Sequence, residues 1–140
     1  KVHMIGGLLE KERLAIHGRM AEEHISSFSV DKAFLGADGV SLDFGLSAKS
    51  EVERGNTPSM MKASLQNFFI LDSAKFEKNA LLKISGSQEV DKLITDNKLD
   101  DELLDRHREA DIDIDLSLVF WSNEITKRWF QPAGFCRKIG

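Results

Sequence analysis

Tyrosine is absent from the 140 residues, cysteine occurs once, proline twice, and no apolar run approaches the length of a membrane span. A lone cysteine, Cys136, cannot close an internal disulfide, which excludes the oxidised scaffolds of small secreted domains. With no spanning stretch and no signal-like start, the expected setting is a soluble, reducing compartment, the cytoplasm. The four histidines, His3, His17, His24 and His107, stand at spacings that match no metal motif. Neither a metal nor a cofactor is expected. Positive charge is not in excess: 19 Lys and Arg face 23 Asp and Glu, a formal net charge of −4. Such a balance supplies no global field to attract nucleic acid or an anionic membrane.

What is present suffices for one core. Hydrophobic residues make up 41% of the chain, and this length fits a single domain better than two. "KVHMI" followed by Gly6-Gly7 reads as a strand entering the fold. Met20, Ala21, Ile25 and Phe28 share one face of a helix from Arg19 to Phe28. "DKAFLGA" is a strand, a glycine-containing loop runs on to Ser50, and Pro58 and Ser59 open a helix carrying Met60, Met61 and Leu65. "NFFILD" has the continuous apolar character of a parallel strand covered on both faces. "VDKLITD" is a further strand, "DDELLDRHREA" a helix with acids first and bases last, and "IDIDLSLVF" closes the series. The alternation predicts an α/β domain with a mostly parallel sheet flanked by helices.

In open parallel sheets, ligands sit beyond the carboxyl ends of the strands. Two such ends combine the right chemistry. After "DKAFL" come Gly36, Ala37, Asp38 and Gly39; after "FFIL" come Asp72, Ser73, Ala74, Lys75 and Phe76. Glycines let backbone N–H groups approach an oxygen, Lys75 offers an ammonium and Ser73 a hydroxyl, which suits a phosphate. Asp38 and Asp72 are acceptors fitted to sugar hydroxyls. A phosphorylated sugar satisfies both halves. Taken singly, each loop is an ordinary turn, and Asp72 a cap for the residues after it; the pairing of the two loops carries the reading.

The ordered series "MIGG", "DKAFLGADGVSLDFGLS", "ERGNTPSMMKAS", "ILDSAKF" and "VDKLITD" resembles the carboxyl-terminal effector-sensing domain of DeoR-family bacterial transcription regulators over about Val2 to Ile114. The resemblance implies a fold like that of ribose-5-phosphate isomerase and an intracellular metabolite sensor, not an enzyme, acting in transcription regulation and carbohydrate metabolism. It assigns Asp72 and Lys75 to the effector-response element, and Gly36, Asp38 and Gly39 to a turn bordering the same pocket. Gly6 and Gly7 match paired glycines that come after an earlier strand. Glu51, Glu53, Arg54 and Asn56 fall in a segment able to close over the site or simply to stay solvated, with Thr57 and Lys62 as helix-entry and surface residues.

Family regulators carry a winged helix-turn-helix and a phosphate loop ahead of this region, so the chain is expected to lack the amino-terminal part, and DNA would be met only through that missing domain. Residues 1–118 are read as a partial sensing domain. Residues 119–140 form an aromatic and basic extension, in which Trp121, Ile125 and Trp129 share a helical face suited to packing or an oligomer contact and Lys127, Arg128, Arg137 and Lys138 cluster. Two other functions stay open on the residues: a sugar-phosphate isomerase or deaminase, for which Glu51 or Glu53 would have to replace an absent catalytic loop, and a purely oligomerising module.

Overall fold

The computed structural model describes residues 1–117; the aromatic stripe and basic cluster of the extension lie outside the described residues. A small hairpin comes first, β1 (Leu8–Glu10) against β2 (Ala15–His17), antiparallel. Helix α1 (Arg19–Ser26) is next and leads into β3 (Val30–Leu35). Then come β4 (Gly39–Ser41), β5 (Gly45–Ala48), α2 (Glu51–Arg54), α3 (Thr57–Ala63) and β6 (Ser64–Ile70). Strands β7 (Leu82–Ser85) and β8 (Lys92–Asp96), helix α4 (Asp101–Glu109) and β9 (Ile114–Ser117) complete the described part.

Four strands form a parallel sheet in the order β3-β6-β8-β9, the α/β architecture expected. Every crossover in that order steps the same way across the sheet, so right-handed connections place the helices on one face. The burial pattern agrees. Leu35, Phe69, Leu93 and Ile114 are in register with one another and, like Ala33 two residues before Leu35, buried, packed with Ile25, Met60, Met61 and Leu104 from α1, α3 and α4. Across the sheet, Phe34, Phe68, Ile70 and Ile94 are only half-buried, with the rings of Phe34 and Phe68 5.3 Å apart. The expectation that "NFFILD" is covered on both faces is therefore corrected: within the described residues one face is closed and the other partly open.

A second sheet, β4-β5-β7, is antiparallel and lies after the carboxyl end of β3. Where the sequence reads as loop, a tight hairpin forms. Gly45 turns it at φ +83°, and a Cβ there would sit 2.3 Å from the Ser85 carbonyl oxygen, so only glycine lets β5 approach β7. Further expectations change. Val2 and Met4 of "KVHMI" are exposed at 70% and 74% and belong to no strand, so this segment is not the strand expected ahead of Gly6 and Gly7. Leu65 lies in β6, because α3 ends at Ala63 and passes into that strand without a loop. Met20, placed by periodicity on the packed face of α1, is exposed; Ala21 and Ile25 are the buried pair.

Candidate functional site: two strand-end turns joined by a lysine

β3 and β6 are adjacent and parallel, with Leu35 opposite Phe69, so the turns after them emerge side by side at one edge. The sequence-predicted residues are brought together there. Lys75 Nζ donates to the Ala37 carbonyl oxygen at 2.7 Å, joining the second turn to the first across 38 positions of sequence. Val40 and Phe76 pair as an isolated parallel bridge directly behind this contact. Lys75, expected as a mobile cation, is half-buried and anchored.

Each turn is built locally. Asp72 Oδ1 accepts from the Ala74 N–H at 2.7 Å, and the Lys75 N–H reaches the Asp72 carbonyl at 3.0 Å, winding Ser73–Lys75 into one turn of 3-10 helix. The capping reading of Asp72 is thus realised, and its carboxylate remains exposed. Asp38 Oδ2 accepts from the Lys49 N–H at 3.2 Å, while the Asp38 N–H donates to Ser47 at 2.8 Å, so the first turn is tied to β5. A Cβ on Gly39 would meet the Lys78 carbonyl oxygen at 2.2 Å; glycine is required there by the close approach of another segment of this chain. Gly36 is exposed, and a Cβ on it would meet nothing within 4 Å. It is the open side of the pair.

β8 adds a residue that the sequence pattern left unassigned. It runs parallel to β6, with Ile94 opposite Ile70, so Asp96 ends its strand beside the second turn. Asp96 Oδ2 accepts from the Ser73 N–H at 3.0 Å and Oδ1 from the Lys98 N–H at 2.8 Å. Partial burial pushes this carboxyl up, but hydrogen bonds from the Ser73 and Lys98 N–H groups and the Ser73 hydroxyl, together with the Lys98 charge, outweigh it and hold the group below its ordinary value. Asp96 closes the "VDKLITD" strand; the rule that singles out the ends of β3 and β6 applies equally to β8 and would have found it.

The far end of the second turn rests on α4. Phe76 is buried edge-on against His107, ring centroids 5.2 Å apart. His107 Nδ1 lies 2.8 Å from the Leu103 carbonyl oxygen, and Nε2 lies 3.3 Å from a Glu77 carboxylate oxygen. Among the described residues no group of three or more His, Cys, Asp or Glu is arranged to hold a metal ion.

The segment expected to close over the site has other engagements. Glu53 pairs with Arg13 at 3.0 Å, Arg54 lies 3.7 Å from Glu51, and Asn56 Nδ2 donates to Ile16 at 2.7 Å, tying the segment to the first hairpin. A cleft of about 410 Å³ is lined there by His17, Glu22, Glu51, Arg54, Ser59 and Lys62 among others. None of the six predicted ligand residues borders it.

Comparison with known proteins bears on the chain as a whole. The family model of the DeoR C terminal sensor domain matches residues 1–97. HTH-type transcriptional repressor GlcR of Bacillus subtilis (strain 168) is 31% identical over 110 residues, covering 76% of this chain and 42% of that protein. HTH-type transcriptional regulator YulB of the same organism is 32% identical over 95 residues, 68% of this chain and 37% of its own length. The lactose phosphotransferase system repressor of Staphylococcus epidermidis (strain RP62A) is 26% identical over 98 residues, 69% of this chain and 38% of that one. The chain thus spans well under half the length of each of these relatives. The parallel α/β sheet is consistent with the family match, and the chain belongs to the DeoR C-terminal sensor domain family.

Proposed function

We propose that this chain is the ligand-reading part of a cytoplasmic, DNA-binding regulator, that it binds a phosphorylated sugar between the turns at Gly36–Gly39 and Asp72–Phe76, and that binding controls a winged helix-turn-helix carried elsewhere in the parent protein. The observation carrying this reading is the 2.7 Å contact of Lys75 Nζ with the Ala37 carbonyl, which sets an ammonium between the two turns. An ammonium has three donors, and one is given to Ala37, so a phosphate oxygen can be met without breaking the bridge. Gly36 leaves the approach open, and Asp72 and Asp38 present carboxylates for hydroxyls. Ser73 contributes through its commitment to Asp96. A regulatory role, without turnover, fits relatives whose names are those of transcriptional regulators. Among the described residues, six of the ten exposed large hydrophobic side chains fall in the first twenty residues, which supports a self-associating protein.

A panel of pentose and hexose phosphates screened by thermal shift tests the site. The matching ligand at a hundredfold excess over its dissociation constant stabilises the protein by about 2.7 kcal/mol. Lys75→Ala then lowers affinity by about tenfold or more, as loss of a charge-assisted hydrogen bond requires, Asp72→Ala by less, and Lys11→Ala, on an exposed turn, leaves it unchanged. A loss with Lys62→Ala and none with Lys75→Ala would move the ligand into the cleft and overturn the assignment.

A further inference from the structure

We infer that Asp96 is the positioning residue of the Lys75 turn: its carboxylate fixes where Ser73 leaves the sheet, and so where the ammonium two residues later arrives. The inference rests on the reading that this turn faces a ligand. Its physical basis is the point at which strand pairing stops. β6 and β8 are in register to Ile70 and Ile94, and the Leu71 N–H still reaches the Ile94 carbonyl at 3.1 Å. Beyond that the strands part, and the Ser73 N–H takes the Asp96 carboxylate at 3.0 Å. A side chain continues the ladder where backbone cannot.

The choice of a carboxylate is dictated by the donors. The Ser73 N–H and the Lys98 N–H both converge on Asp96, one on each carboxylate oxygen. An asparagine would turn an NH2 group toward one of these donors. Each oxygen already holds a backbone N–H, so Asp96 acts through the turn. From Ser73 the 3-10 turn is one closed unit, held by Asp72 at its start and by the Phe76–Val40 bridge at its end. A displacement at Ser73 therefore carries to Lys75, whose 2.7 Å contact is lost with a shift of about 1 Å. Asp96 also holds the Lys98 N–H, so the same carboxylate joins the turn to the segment that enters α4.

The test uses the full 140-residue chain, 15N-labelled, as wild type, Asp96→Asn, Lys75→Met and the double variant. Amide hydrogen exchange is read at Ser73, Ala74 and Lys75, with Phe69 and Leu93 as core references, and inorganic phosphate and ribose 5-phosphate are titrated by chemical shift. Asp96→Asn is expected to speed exchange at the three turn amides by about tenfold with the references unmoved. It should weaken probe binding by a similar factor, and that loss should vanish in the Lys75→Met background, because positioning has no effect once there is no ammonium to place. Unchanged turn exchange in Asp96→Asn, or an equal loss of binding with and without Lys75, overturns the role. A wild type that binds neither probe counts against the ligand reading for those probes, and the exchange result still decides the role of Asp96. Should Asp96→Asn fail to fold, Asp96→Glu keeps the charge and displaces the acceptor by one methylene. It is expected to speed turn exchange by a smaller factor, and no change there overturns the proposal.

Discussion

Asp96 links acidity to stability with a definite sign. Its folded-state carboxyl lies below the ordinary value, so the carboxylate binds its proton less readily in the native chain than in the unfolded one. The contribution is present above the unfolded carboxyl value and is lost as pH falls through the folded one. Urea midpoints tracked from neutral pH into acid should therefore fall more steeply for wild type than for Asp96→Asn. Equal acid slopes would show that Asp96 carries no linkage. Lys92 does not confuse this window: hydrogen bonds to Asp115 and Asp113 hold its ammonium above its ordinary value, so whatever it contributes is lost as pH rises. The same scale shows why a residue's chemistry alone does not reveal its task. Gly39 suits a ligand approach by its lack of a side chain, yet its space is taken by the Lys78 carbonyl. Lys75 suits a phosphate by its charge, and it also spends one donor on closing the gap between two turns.

At the scale of elements, capping and backbone conformation predict two separable losses. Asp100 caps α4, accepting from the Glu102 and Leu103 N–H groups at 3.0 and 3.4 Å. Asp100→Ala should cost about 1 kcal/mol in urea unfolding, with the β4-β5-β7 sheet unaffected. Gly45→Ala forces an L-residue into φ +83° and a Cβ onto the Ser85 carbonyl, and should cost about 1–3 kcal/mol, the damage centred on the β5–β7 pairing and visible as faster exchange at Leu46. A Gly45→Ala variant as stable as wild type would refute the close approach. These elements also show what was legible in the sequence. α1, α3, α4, β3, β6 and β8 carry long periodic or continuous apolar patterns, and all six are found near the expected positions. β4 and β5 are three and four residues of mostly small side chains, wholly buried and without alternation, so no period marks them. β7 escapes notice for the same shortness. "KVHMI" fails in the opposite way: apolar character gives the tendency to pair, and the described residues supply no pairing strand. The paired turns were legible because parallel topology brings successive strand ends to one edge. Asp96, at the end of β8, falls under the same rule, but its task does not, because its partner is a backbone N–H 23 positions away, a donor that no residue pattern advertises.

For the whole molecule, one-directional crossovers leave a one-sided domain. The helices close one face of the parallel sheet, Phe34, Phe68, Ile70 and Ile94 stay half-buried on the other, and Val2, Met4, Leu8, Leu9, Leu14 and Met20 are exposed at the amino-terminal end. Exposed apolar side chains gathered in one stretch of chain favour covering by a partner surface. With a net charge of only −4, electrostatic repulsion between copies is weak. Association in solution is the expected result, and sedimentation velocity across a range of protein concentrations should show a dimer or larger species in exchange with monomer. The amino-terminal surface is separable from the core, because Leu8 and Met20 are 66% and 69% exposed and their replacement leaves packing intact. Leu8→Lys with Met20→Lys should shift the distribution toward monomer while the urea midpoint, extrapolated to low protein concentration, stays where it was. A wild type that sediments as a monomer at every concentration would rule out self-association, and an associated species untouched by the two lysines would move the contact to the half-buried sheet face.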